Sequence, residues 1–257
     1  MRYAKGTHSI SASRDISLLV QIRNSRFITH QQLFEFAQLA ALESSRRCFG
    51  WRVQRLLASR NISVCEGIFG RETAVYCIAR QGLRALENHC KFATVLNSAT
   101  QHLPHPSHAD HALELNSIQL ALAHGNVLIS WQSDVETASA NTVSTRPWEK
   151  DYDAIVDVWN SHTMARFALE YERTLKSAQQ YGKICRALEA ETAVGCVLYL
   201  TSGEEISMHL AHEFSGISKR LAFATAAAFR KDLLDTMVLT HPSDPEVSFR
   251  TQLRGVI

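Results

Sequence analysis

Apolar side chains recur at helical spacing through the first sixty residues, interrupted by short polar punctuation. In DISLLVQIRNS, with Ser13 as the expected cap, Ile16, Leu19, Val20 and Ile22 fall mostly on one side. In RFITHQQLFEFAQLA, Phe27 and Ile28 read as a brief extended entry and Thr29 as a cap. Leu33, Phe34, Ala37 and Leu39 then supply the apolar face. SSRRCFGWRVQRLLASR predicts a third helix capped at Ser44 or Ser45, with Phe49, Val53, Leu56 and Leu57 turned inward. NISVCEGIFGRETAVYCIAR has two extended runs about a turn at Gly70 and Arg71, the pattern of a hairpin, and RQGLRALENHC closes as a helix. Three helices, a hairpin and a helix, with a tight connection near Glu43, are the order of a winged helix-turn-helix. That domain is expected over residues 12–92.

Residues 93–109 read as a linker, since QHLPHPSHAD combines two prolines with three histidines. Residues 110–257 have a different rhythm. SHADHALELNSIQLALAHG is helical, with Leu113, Ile118, Leu120 and Leu122 as core candidates. NVLISWQSD, DYDAIVDVW and MARFALEYER read as three strands, TLKSAQQYGKICRALEAE as a helix and TAVGCVLYLTS as a buried strand. The segment from Gly216 to Val238 is Ala-rich and reads as partly helical. The expected fold class is α+β, a winged helix-turn-helix followed by an α/β domain.

Charge divides the chain in the same place. Residues 1–91 hold 14 Lys and Arg against six Asp and Glu, a formal +8, while the remainder carries −6 and leaves the net at +2. A basic front and an acidic back imply that the front meets a polyanion. Twelve of those 14 basic residues are Arg, whose fork suits phosphate and guanine. The expected partner is double-stranded DNA. A recognition helix offers its N-terminal residues to base edges, which assigns Ser44, Ser45, Arg46 and Arg47 to bases. Arg52 and Arg55, further along, are assigned to phosphates, and Arg71 to a wing tip that reaches the backbone or minor groove. The alternative is a solvated arginine face or a domain used only for protein contacts.

Other features narrow the reading. The six cysteines are scattered without a Cys-x-x-Cys pair, which indicates neither a zinc ribbon nor a disulfide framework. No run of about eighteen apolar residues suggests a membrane span, and the basic N-terminus has no apolar run behind it, so the expectation is a cytoplasmic protein. His102, His105, His108 and His111 recur every three residues but read as incidental linker histidines rather than a metal site. Trp131, Trp148 and Trp159 read as packing residues.

The segments RFITHQQL, RRCFGWRVQRLL, VYCIARQGLRAL, HALELN and FALEYER followed by KI resemble the replication-relaxation family of plasmid and mobile-element proteins, over roughly residues 15–200. The resemblance implies a role in plasmid replication or conjugative transfer. The chain has no His-x-His motif with a nucleophilic tyrosine, so it is not expected to be a relaxase itself. The rear order also resembles the restriction-endonuclease-like fold, whose nucleases carry an Asp on the second strand and Glu-x-Lys on the third. That resemblance implies Asp153, Glu170 and Glu172 as the corresponding acids, with Asp153 and Glu170 as ligands if Mg²⁺ is used. Asp157 competes with Asp153 for its role. Glu172 occupies the position of the Lys, for which Lys176 or Lys183 on the following helix would have to substitute. The expectation is a homodimeric regulator of transcription, replication or transfer that needs no cofactor, its rear domain an inactive nuclease fold. The alternative is a Mg²⁺-dependent endonuclease guided by the winged helix, with Asp153, Glu170, Glu172 and Lys183 as catalytic residues.

Overall fold

A computed structural model describes residues 10–65, 74–99, 108–143, 145 and 147–255. The chain divides into two compact units, Met1–Asn116 and Ser117–Ile257. The division falls within helix α5 (Ala109–His124) rather than in the 93–109 segment.

In unit 1 the order is α1 (Asp15–Ser25), β1 (Ile28–Thr29), α2 (His30–Leu39), α3 (Arg46–Ala58), β2 (Ile62–Val64), β3 (Val75–Ile78) and α4 (Arg80–Asn88). The three strands form an antiparallel sheet ordered β1-β3-β2. Local chemistry sets most of these boundaries. Thr29 caps α2 in a capping box: its hydroxyl accepts from Gln32 N at 3.1 Å, and Gln32 Oε1 accepts from Thr29 N at 3.2 Å. Ser45 caps α3 by accepting from Cys48 N at 3.3 Å. Ser13 does not cap α1. Arg14 stands at that position without a side-chain bond, and the Asp15 carboxylate instead accepts from Ser11 N at 2.8 Å. Gly82 of α4 is required by a close approach, because a Cβ there would lie 2.2 Å from the Asn61 carbonyl oxygen.

The core of unit 1 gathers Leu18, Leu19 and Ile22 of α1, Leu33 and Ala37 of α2, Phe49 and Val53 of α3, and Leu83 and Leu86 of α4. The first two turns of α5 also pack on this unit, where Ala109, Ala112 and Leu113 meet Phe27 and Val75. Gln32 Nε2 donates to the Leu113 carbonyl, and Asn116 Nδ2 to the Phe27 carbonyl, both at 2.8 Å.

One polar contact joins α1 to α3. Arg52, which sequence spacing assigned to a phosphate, is only 8% exposed. Its Nη1 lies 3.0 Å from Oδ1 of Asp15, itself 1% exposed, and its Nη2 lies 3.3 Å from Glu43 Oε2. The expectation is thereby corrected: the guanidinium is buried against two carboxylates of its own unit and is not presented to a ligand.

Unit 2 is built on a five-stranded mixed sheet, order β4-β5-β6-β7-β8. Its strands are β4 (Leu128–Ser133), β5 (Ala154–Asn160), β6 (Thr163–Glu172), β7 (Cys196–Thr201) and β8 (Arg220–Thr225). β4, β5 and β6 run antiparallel, and the pairings β6–β7 and β7–β8 are parallel. The antiparallel β5–β6 pair needs only the turn Ser161–His162, with Ser161 at φ 60°. The parallel pairs take helical crossovers, α7 (Ala178–Ala190) and α8 (Glu204–Glu213). All six residues of β7 are buried, which accounts for its unbroken apolar run.

Two elements depart from the expected order. A helix, α6 (Asp134–Val143), intervenes between the first and second strands. β8 lies within the segment expected to be partly helical, which also holds α9 (Ala226–Asp232) and a 3₁₀ turn (Leu233–Asp235). β9 (Met237–Val238), β10 (Val247–Ser248) and α10 (Phe249–Gln252) complete the chain. The protein is therefore an α+β chain. No helix among the described residues is long and apolar enough to cross a membrane.

The Arg52 contact yields a stability prediction. Removing one partner of a buried ion pair leaves the other charge uncompensated. Arg52→Ala is expected to lower the free energy of unfolding by about 3–5 kcal/mol, read from urea denaturation. A loss below about 1 kcal/mol, typical of an exposed pair, would show that the contact does not hold α3 in place.

Candidate nucleic-acid interface and carboxylate–lysine cluster

Helix α3 separates cleanly into two faces. Phe49, Arg52, Val53 and Leu56 are buried, while Arg46, Arg47, Cys48, Trp51, Gln54, Arg55 and Ala58 are exposed. At about 100° per residue, Arg47, Trp51, Gln54, Arg55 and Ala58 fall on one outward stripe opposite the core.

The sequence-assigned residues differ in their freedom to meet a ligand. Arg47 is exposed in the first turn of α3. Arg46 is exposed but folds back over α2: its Nη1 donates to Gln31 Oε1 at 2.8 Å, and its guanidinium carbon stands 4.9 Å from the Phe34 ring centroid. Ser44 is exposed, and its backbone N–H donates to Glu43 Oε1 at 3.2 Å; the Ser45 hydroxyl is engaged as the cap. Arg55 keeps about half its side chain exposed while reaching Asp15 Oδ2 at 3.4 Å. Arg71 and Gly70 of the expected wing tip lie outside the described residues.

Glu43 organises the entry to this helix. Its carboxylate accepts from the backbone N–H groups of Ser44 and Ser45 and pairs with Arg52. The Ser45 hydrogen bond first, then Arg52, holds it below the usual carboxylate range.

Sequence reasoning missed Trp51, which is 67% exposed in the middle of the stripe. Its spacing, four residues after Arg47 and four before Arg55, was the available signal. Trp159, expected to pack, is instead 52% exposed and pairs across the β5–β6 turn with the exposed Met164. Trp148 does pack against the core of unit 2.

In unit 2 the acids implied by the nuclease-like resemblance come together at the C-terminal end of β6. Asp153 immediately precedes β5, and its Oδ2 accepts from Tyr171 N at 2.7 Å. Glu170 Oε1 lies 2.6 Å from Lys150 Nζ. Glu172 accepts a hydrogen bond from Lys176, in the loop before α7. Burial pushes the Glu170 carboxyl above its ordinary range, an effect opposed by Lys150 and reinforced by Asp153. Burial likewise lowers the Lys176 ammonium, against the pull of Glu170 and Asp153. Glu170 also faces Tyr199 in the parallel β6–β7 register, and the Tyr199 hydroxyl is buried.

Lys183 is not part of this group. It is exposed on α7, and Lys150 and Lys176 are the cations that stand against the carboxylates. Asp157, the competitor for the role of Asp153, is held elsewhere. It pairs with Arg166 through Nε at 2.7 Å and Nη2 at 3.1 Å, and accepts from Ser130 Oγ at 2.6 Å, so it links β4, β5 and β6.

His102 and His105 lie outside the described residues. Among the described residues, no group of three or more His, Cys, Asp or Glu side chains is arranged to hold a metal ion. A cavity of about 370 Å³ opens elsewhere in unit 2, lined by Met208, Phe223, Ala228 and Met237 among others, and none of the cluster residues lines it. No family model, curated protein or solved structure matches the chain.

The Asp157 geometry sets a pH dependence. Hydrogen bonds from Arg166 are the leading cause that holds this carboxyl below the usual range. A carboxyl held low in the folded state stabilises it above the unfolded value of about 3.9, and that contribution is lost as pH falls through the depressed value. Asp157→Asn is expected to cost about 1.5–3 kcal/mol at neutral pH. The gap to wild type should narrow as pH is lowered through the acid range, measured by urea denaturation at a series of pH values. A gap independent of pH would remove the ion pair as its cause.

Proposed function

We propose that this chain is a double-stranded DNA-binding protein of the mobile-element type, related to the replication-relaxation proteins, in which unit 1 acts as a winged helix-turn-helix. The observation that carries the reading is the outward stripe of α3, where Arg47, Trp51, Gln54 and Arg55 stand exposed over a fully buried opposite face. The order α1-β1-α2-α3-β2-β3-α4 and the sheet order β1-β3-β2 support it, because they leave α3 as the helix after the short α2–α3 connection. The formal +8 of residues 1–91 supports it further, since phosphate neutralisation dominates affinity for DNA.

In this reading the base-facing residues are Arg47, Trp51 and Gln54, Arg55 takes a phosphate, and Arg52 serves the fold. A single short helix covers few base pairs, so the working form is a homodimer that reads two half-sites. The exposed Trp159–Met164 pair of unit 2 is a suitable apolar contact for it.

Unit 2 serves as a restriction-endonuclease-like platform without cleavage, and the protein regulates transcription, replication or transfer. Asp153 is engaged by the Tyr171 N–H, Glu170 by Lys150 and Glu172 by Lys176. Two carboxylates that meet lysines of their own unit, and a third that accepts from a backbone N–H, fit a Mg²⁺ centre poorly, since it needs free carboxylate oxygens. One observation favours the endonuclease reading: Lys176 supplies, beside Glu172, the cation that the Glu-x-Glu pattern lacks.

Two measurements test these statements. In fluorescence anisotropy with a random-sequence duplex pool, Arg55→Ala should flatten the slope of log K against log salt by about 0.9, the worth of one phosphate contact. On a duplex selected from that pool, Arg47→Ala should cost about 1–3 kcal/mol, as loss of a base contact does. Unchanged binding in both variants would remove α3 from the interface. In the second measurement, supercoiled plasmid incubated with the protein and Mg²⁺ or Mn²⁺ should remain intact. Nicking that disappears in Glu170→Ala would replace the regulator with the endonuclease.

A further inference from the structure

The exposed indole of Trp51 has no counterpart in the packing of unit 1. The core takes Phe49, Val53 and Leu56 from α3, on the side of the helix opposite Trp51. No ring stacks on Trp51 and no hydrogen bond reaches it among the described residues. Large aromatic side chains normally bury most of their area, so an indole 67% exposed between two arginines is available as a contact surface.

The neighbours specify that partner's chemistry. Arg47 and Arg55 flank Trp51 one turn away on either side, and Gln54 lies three residues on along the same stripe. A flanking pair of guanidinium groups suits a polyanion. The apolar centre between them suits a polyanion that carries an apolar group at a fixed depth. In the major groove of B-form DNA only one base edge offers such a group, the C5-methyl of thymine. The carboxamide of Gln54 complements the other base of that pair, since Gln takes adenine at N6 and N7 in a two-point contact.

We infer that Trp51 and Gln54 make α3 a reader of A·T pairs, with the indole packed on a thymine methyl and the Gln54 amide on an adenine edge. The assignment rests on α3 being the DNA-reading helix. It adds the class of sequence that the helix selects, and it shifts the reading positions one turn along α3 from the Ser44–Arg47 segment. Arg46 and Arg52, held by Gln31 and Phe34 and by Asp15 and Glu43 respectively, leave that turn to Trp51.

The test starts from duplexes selected by the full-length protein from a random-sequence pool, and compares each with a copy in which deoxyuridine replaces thymidine. Uracil differs from thymine by the methyl group alone. Wild-type protein is expected to bind the uracil copy about fourfold more weakly per contacted methyl, the worth of one apolar carbon removed from water. Trp51→Ala should bind the thymine duplex about tenfold more weakly and should not distinguish thymine from uracil. Gln54→Ala should relax the preference for A·T at the neighbouring position while the thymine–uracil difference persists. Equal binding of both copies by wild type, or a thymine preference that survives in Trp51→Ala, overturns the A·T assignment and leaves DNA binding in place. Failure of the wild-type protein to enrich or bind any duplex overturns the DNA reading itself. A thermal melt of Trp51→Ala that matches wild type, as expected for an exposed side chain, separates lost contact from lost fold.

Discussion

A buried guanidinium governs what unit 1 can present to a ligand. Arg52 stands between Asp15 at the start of α1 and Glu43 in the α2–α3 connection, and its burial fixes the rotation of α3 about its own axis. With Arg52 turned inward beside Phe49, Val53 and Leu56, helical geometry leaves Arg47, Trp51, Gln54 and Arg55 outward. The pair also sets the entry to the helix, because the same Glu43 carboxylate accepts the N–H groups of Ser44 and Ser45. Fold and surface chemistry therefore depend on the same three charges. Burying both charges costs desolvation, so the pair itself is weak evidence for added stability, while removing one partner leaves the other uncompensated.

The two units use charge in opposite ways. In unit 1 the outward stripe carries Arg47 and Arg55, and Asp15, the acid that Arg55 reaches, is shared with the buried Arg52. Positive potential is left at the surface. In unit 2 the carboxylates at the end of β6 meet Lys150 and Lys176 within the protein, and Asp157 meets Arg166. Those ion pairs are made within the unit. In the proposed function, such contrast suits a chain in which one unit would hold DNA and the other would hold shape for assembly.

Much of unit 1 was legible in the sequence because its signals are local. Thr29 with Gln32, and Ser45 at the start of α3, are caps set by neighbours three residues apart. The role of Arg52 was not legible. Its spacing from Arg55 suggests a shared surface face, while the partners that bury it lie 37 and 9 residues away. The strand β8 escaped for a different reason: a short, fully buried parallel strand such as LAFA has no period to separate it from a helix, and the alanines after it favour the helix. In the carboxylate cluster Asp153, Glu170 and Glu172 were implied by the resemblance to the restriction-endonuclease-like fold. Lys150 sits in the approach to β5, where sequence distance from Glu170 conceals the contact. Lys176 was visible as a substitute cation, and Lys183, equally visible, proved to point away into solvent.

The proposed DNA binding requires α3 to meet the duplex through its outward stripe. The most direct measurement is a two-dimensional ¹H–¹⁵N spectrum of the labelled full-length chain titrated with a short DNA duplex. The Trp51 indole N–H and the amides of Arg46–Ala58 should shift together, at concentrations where the amides of β7, buried in unit 2, stay fixed. Shifts that bypass α3, or a Trp51 indole signal unmoved at saturating duplex, would contradict it.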